Sequence, residues 1–152
     1  MTGRPERQAV IRGFGSSQVG RRLPASEMAL TVDACLAALA DAGVDRSEID
    51  GLATFPGGGF DTSGLAGPGA DDVHAALGLR TNWKYGGPEG GQLGGFFSAC
   101  LAVATGLARH VLVYRTVGES SAQGAAGRAA TLSAGADTAV SGFRRWLAPF
   151  DA

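Results

Sequence analysis

Residues Thr81 to Arg115, TNWKYGGPEGGQLGGFFSACLAVATGLARHVLVYR, constrain the fold more than any other stretch of the sequence. Thr81, Trp83 and Tyr85 alternate with Asn82 and Lys84, the two-residue period of a strand. Gly86, Gly87, Pro88, Gly90 and Gly91 then break the chain. The alanine-rich run Gln92 to Thr105 predicts a helix, with Gly106 placed to close it in the left-handed conformation. His110 to Arg115 (HVLVYR) is apolar and β-branched, which predicts a buried strand. A helix opening on a glycine turn after a strand presents free N–H groups and a partial positive charge. An acyl oxygen, a phosphate or a nucleophile can be placed there.

The 152 residues are of single-domain size, and a formal net charge of −1 offers nothing that invites nucleic acid or an anionic membrane. Lys84 is the single lysine beside a dozen arginines, which with abundant Ala and Gly reads as GC-rich coding. Cys35 and Cys100 both fall in apolar helical patterns and read as reduced core residues, not a disulfide. The N-terminus shows no apolar signal region and no run approaches the length of a membrane span, so the expected setting is cytoplasmic.

Upstream, Gln8 to Gly13 (QAVIRG) predicts a first strand. The following Gly13-Phe14-Gly15-Ser16-Ser17-Gln18 departs from the dinucleotide fingerprint, because Gln18 replaces the third glycine and no helix starts at once. Ser26 caps a helix to Ala42 whose apolar face is Met28, Val32, Cys35, Leu36 and Leu39, ended by Gly43 with Val44 closing the cap. Asp50-Gly51 turns into a strand from Leu52 to Phe55, followed by a glycine-rich loop from Pro56 to Gly69. Asp71 caps a short helix, Asp72 to Leu77, stopped by Gly78. His74 and His110 stand alone, without the second imidazole or the cysteines of a metal site, so no metal is expected. Residues 1–115 thus form one β–α–β–α–β–α–β unit. Residues 116–152 are Gly/Ala/Ser-rich, with a weak helix around Ala125 to Leu132 and a terminal cluster of Phe143, Trp146, Leu147 and Phe150.

In order and spacing, Ala40-Asp41-Ala42-Gly43-Val44, Ile49-Asp50-Gly51-Leu52, Ala76-Leu77-Gly78-Leu79, Gly86-Gly87-Pro88, the helix to Gly106 and Val111 to Arg115 form a set, with Trp146, Pro149 and Phe150 beyond. The set resembles the amino-terminal half of the thiolase superfamily, nearest the sterol-carrier-protein-type thiolases (lipid-transfer proteins) and the thiolase-like aldolases. The resemblance implies an α/β fold with a mixed, mostly parallel sheet and helices on both faces. It also implies action on acyl-CoA carbon–carbon bonds, with a coenzyme A thioester as substrate and no permanently bound cofactor. Pairing of the edge strand Thr81 to Tyr85 with its copy in a homodimer, or assembly with a partner subunit, is a further implication.

Two features depart from the family. Thiolases carry a nucleophilic cysteine at the start of the helix that Gly106 ends; here that region is Glu89 to Gly91, and Cys100 lies about three turns inside. Cys100 is therefore expected to be structural, packed among Phe97, Leu101 and Val103. Glu89 is the candidate catalytic base, and Gly90 and Gly91 are the candidate ligand-binding backbone at the helix start. The carboxy-terminal half of a thiolase has no counterpart in 152 residues. Expected functions are retro-aldol rather than Claisen chemistry, completed by a second half or partner, or a non-catalytic subunit or acyl-CoA-binding scaffold.

Overall fold

The computed structural model describes residue 4 and residues 7–55, 67–87 and 91–118. Three short strands form its sheet: β1 (Gly51–Thr54), β2 (Trp83–Tyr85) and β3 (Val111–Tyr114), in the order β2-β1-β3. Both pairings are parallel, with Gly51 opposite Trp83 on one side and Val111 on the other. All of β1 is buried, as expected for the central strand of a sheet covered on both faces. The fold is α/β.

Helix α1 (Glu27–Ala42) begins where Ser26 accepts a hydrogen bond from the Ala29 N–H. It ends where Gly43, at φ 60°, donates to the Ala40 carbonyl and Val44 to that of Leu39, the paired bonds of a Schellman stop. Helix α2 (Ala70–Leu77) ends in the same way at Gly78. Both helices pack on the face that carries Leu52, Leu112 and Tyr114; Cys35, Leu39, Val73 and Leu77 fill the interface. Fully burying an aliphatic side chain such as Leu52 or Val73 is worth about 1.5–3 kcal/mol each. Helix α3 (Gly94–Ala104) lies on the opposite face, over Gly51 and Ala53, with Ala99 and Ala102 turned inward. Small residues allow this close approach. A Cβ on Gly95 would stand 3.2 Å from the Thr54 carbonyl oxygen.

Several expectations change. Gln8 to Gly13 joins no described strand. The segment continues on α1 instead: Cβ atoms on Gly13 and Gly15 would collide with the helix backbone around Ala34, Ala38 and Ala42. The Phe14 N–H donates to the Asp41 carboxylate, and Val10 and Ile11 remain exposed. A strand exists only as part of a ladder, and no described strand lies beside this segment. On α1, Leu36 faces solvent while Thr31 is buried, because its hydroxyl is satisfied by the Glu27 carbonyl and the Thr116 hydroxyl. Asp71 is not the cap of α2; Gly69 holds that place, and Asp71 in the first turn pairs with Lys84 across the same sheet face. Cys100 is half-buried, with Phe97 and Leu101 beside it exposed rather than packed. The Asn82 N–H points into the sheet, donating to the Asp50 carbonyl at 2.7 Å, so it is no part of the free edge. Glu89, Gly90, the loop from Pro56 to Ala66 and the tail from Glu119 lie outside the described residues.

Candidate functional site at the start of α3

Parallel strands leave their open ends on one side, and ligands of such sheets bind outside the carboxyl ends of the strands. β1 ends at Thr54, β2 at Tyr85 and β3 at Tyr114. The chain re-enters the described structure at Gly91, which adopts φ 60°, a conformation that favours glycine. One 3-10 turn, Gly91–Leu93, leads into α3. No side chain caps the helix at Leu93 and its first turn holds no acidic residue. Gly94 and Gly95 are buried under the end of β1. The helix start is thus a row of backbone donors set beside the strand end, suited to an oxygen that gains negative charge. Of the three residues singled out from sequence, only Gly91 falls within the described structure.

Around it the strand ends are tied together. The Tyr114 hydroxyl donates to the Pro68 carbonyl at 2.8 Å. Burial, the largest influence, raises its pKa above the usual phenol range, so it acts as a neutral hydrogen-bonding anchor. Next to it, the Arg115 guanidinium lies 5.3 Å from the centre of the Phe55 ring, a cation–π contact. Among the described residues its Nη1 is buried without a hydrogen-bond partner. Sequence reasoning saw Tyr114 and Arg115 only as the end of a strand. A polar pair at the carboxyl end of a buried parallel strand was the available signal.

The remaining polar groups are structural. Lys84 holds the exposed Asp71 carboxyl below its ordinary pKa, first by hydrogen bonding and then by charge. Asp45 is lowered mainly by hydrogen bonds from Ser47, within a capping box with Glu48. Cys35 is pushed up to about 12 by burial, which keeps the thiol neutral and unreactive. His74 and His110 are half-buried, and among the described residues no group of His, Cys, Asp and Glu could hold a metal. Among them, too, no helix is long and apolar enough to cross a membrane.

No protein-family model matches the chain. A steroid side-chain-cleaving aldolase of Thermomonospora curvata is 37% identical over 146 residues, which is 93% of this chain and 35% of that protein. A 17-hydroxy-3-oxo-4-pregnene-20-carboxyl-CoA lyase of Mycobacterium tuberculosis is 35% identical over 114 residues, 75% of this chain and 28% of that protein. The solved structure of an Ltp2-ChsH2(DUF35) aldolase superposes with a TM-score of 0.63 at 33% identity, covering 93% of this chain and 38% of that one. The chain is therefore similar to steroid-cleaving aldolases and lyases over most of its length, and spans about a third of theirs.

Proposed function

We propose that this chain is part of a thiolase-like, lipid-transfer-type aldolase that breaks a carbon–carbon bond in a steroid acyl-CoA by a retro-aldol step, completed by further polypeptide. The likeness to the Thermomonospora curvata aldolase over 93% of the chain carries the reading. The helix start without cysteine supports it. The substrate in the name of the Mycobacterium tuberculosis relative is a β-hydroxy thioester. A base removes the hydroxyl proton and the bond between the hydroxyl carbon and the thioester α-carbon breaks. The hydroxyl carbon becomes a ketone, and the electron pair passes to a thioester enolate that then takes a proton. No acyl-enzyme forms, so no nucleophilic cysteine is needed. In this reading Glu89 is the base, and the N–H groups beginning at Gly90 and Gly91 stabilise the enolate oxygen. The coenzyme A thioester is substrate, not resident cofactor, and a reducing cytoplasmic setting suits the free thiols Cys35 and Cys100.

The alternative is a non-catalytic subunit that scaffolds an assembly or binds acyl-CoA, which the lack of a cysteine at the helix start also fits. Self-pairing through Thr81 to Tyr85 belongs to either reading. β2 has a described neighbour only on its β1 side, and Trp83 and Tyr85 stack with ring centres 6.3 Å apart.

The test is cleavage of 17-hydroxy-3-oxo-4-pregnene-20-carboxyl-CoA, followed by chromatography of the steroid ketone. The assay compares the chain alone with the chain co-expressed with the part of the Thermomonospora curvata aldolase that it does not match. Activity in the completed assembly, reduced about 100-fold or more by Glu89→Gln, is expected for a catalytic base. Unchanged activity in that variant removes Glu89 as the base. An assembly that forms but never cleaves favours the scaffold. Acetoacetyl-CoA thiolysis by the chain alone would overturn the retro-aldol assignment.

A further inference from the structure

β1 and β3 run in register, with Thr54 opposite Tyr114, so Phe55 and Arg115 are the next pair beyond the two strand ends. Side chains of a strand alternate between its faces. Leu112 and Tyr114 lie in the core with Cys35 and Val73, and the Thr116 hydroxyl bonds that of Thr31 on α1. These three therefore serve the side of α1 and α2. Arg115, between Tyr114 and Thr116, projects from the other face, where α3 packs. Its guanidinium carbon stands 5.3 Å from the centre of the Phe55 ring, so the side chain leans from β3 across the end of β1. That corner is where α3 begins, since a Cβ on Gly95 would stand 3.2 Å from the Thr54 carbonyl oxygen.

Among the described residues the fold gives this guanidinium no answering group. Nη1 is buried and makes no hydrogen bond, and the ion pair found there joins Lys84 to Asp71 instead. Burying a donor without a partner is costly, and more so when the donor is charged. The contact with Phe55 engages the face of the guanidinium and none of its N–H groups. A native structure keeps such a group where something outside the fold answers it, a ligand, an ion or a water. A guanidinium stacked on a ring holds its donors in one fixed plane. It has donors only, so it can hold an oxygen but cannot remove a proton.

We propose that Arg115 is a catalytic residue of this site, donating from Nη1 to the thioester oxygen that becomes the enolate oxygen. The proposal rests on the retro-aldol reading. The electron pair of the breaking carbon–carbon bond passes through the α-carbon to that oxygen, and Arg115 donates a hydrogen bond without giving up its proton. The N–H groups at the start of α3 reach the oxygen from the helix side, and Arg115 reaches it from the sheet side. Because Phe55 already holds the guanidinium plane, no reorganisation is needed as the charge develops. A coenzyme A phosphate is the competing oxyanion. The burial of Nη1 favours a single oxygen in a water-excluded place over a solvated phosphate.

The experiment uses the full chain co-expressed with the unmatched part of the Thermomonospora curvata aldolase. It measures kcat and KM for 17-hydroxy-3-oxo-4-pregnene-20-carboxyl-CoA, with urea unfolding of each form of the chain alone. Arg115→Met should lower kcat about 100-fold or more and change KM less than about threefold, the pattern of one lost oxyanion donor. Arg115→Lys keeps the charge but not the planar fork, and its kcat should fall between the two. Neither variant should lower the urea midpoint, because no hydrogen bond within the fold is lost. A midpoint lowered in both variants means that the fold itself already satisfies the guanidinium, and overturns the proposal. A raised KM with kcat kept, and weaker binding of coenzyme A itself, would assign Arg115 to a phosphate and overturn the enolate donor. Unchanged kcat and KM in Arg115→Met overturn the role of Arg115 and leave the retro-aldol reading standing. If the completed assembly of the unsubstituted chain does not cleave, that reading fails and the role of Arg115 falls with it.

Discussion

Asp50 gives the sharpest test of how the three strands are held together. Its carboxylate accepts from the Arg109 N–H at 2.9 and 3.0 Å and from the His110 N–H at 2.9 Å. Its backbone N–H donates to the His110 carbonyl, and its carbonyl accepts from Asn82 and Trp83. One residue therefore gathers the starts of all three strands and fixes the turn from α3 into β3. Hydrogen bonds to a charged group are worth about 1.5–3 kcal/mol each. Arg109 is exposed and water can replace its bond, whereas half-buried His110 loses a partner less easily. Asp50→Ala should therefore cost about 2–3 kcal/mol, a large fraction of a small domain's total stability. Asp50→Asn keeps one acceptor oxygen and should cost about half as much. Urea unfolding followed by far-ultraviolet circular dichroism, with the m-value unchanged, measures both. A loss below about 0.5 kcal/mol for Asp50→Ala, or Asn costing as much as Ala, would refute the clamp.

Asn82→Pro removes an inward ladder donor and should cost about 1–3 kcal/mol in the same assay; wild-type stability would return Asn82 to the free edge. Tyr114→Phe keeps the buried ring but loses the bond to Pro68, so a loss of about 1 kcal/mol and faster exchange in 67–70 are expected, and unchanged values in both would contradict the anchor. Burial raises the folded pKa of Cys35 above its ordinary 9.0, so the unfolded chain ionises first as pH rises. The stability this group contributes is complete below pH 9.0 and drains towards about 12, and Cys35→Ala should flatten the decline just above pH 9.0. An identical decline in both proteins would count against it. Cys100→Ala, at a half-buried position, should cost no more than about 1 kcal/mol, while a thioester trapped on Cys100 and found by peptide mass spectrometry would overturn its structural role.

The sequence by itself determined the elements whose signals are local. Ser26, Gly43 and Gly78 mark helix ends because side-chain caps and left-handed glycines act within one turn. The apolar runs at β1 and β3 read as strands; β1 is buried throughout because both its faces are covered, whereas β3 is buried only at Leu112 and Tyr114 and leaves Val113 exposed, against the expectation of a fully buried strand. The glycine turn and the small-residue helix were likewise visible in sequence, and stand as the turn Gly91–Leu93 and the helix Gly94–Ala104. Tertiary structure alone decided whatever depends on a distant neighbour. Gln8 to Gly13 has strand composition, but a strand is defined by the ladder beside it, and here the segment meets α1. Thr31 is buried and Leu36 exposed because the Thr116 hydroxyl, 85 positions away, satisfies the threonine. Asp71 turned from cap to ion-pair partner, and the exposed Asn82 spends its N–H on the Asp50 carbonyl, because Lys84 and Asp50 stand where only the fold could bring them. The anchoring of Tyr114 on Pro68 and of Arg115 on Phe55 follows the same rule: local spacing sets a residue's conformation, and contacts across the sheet set its role.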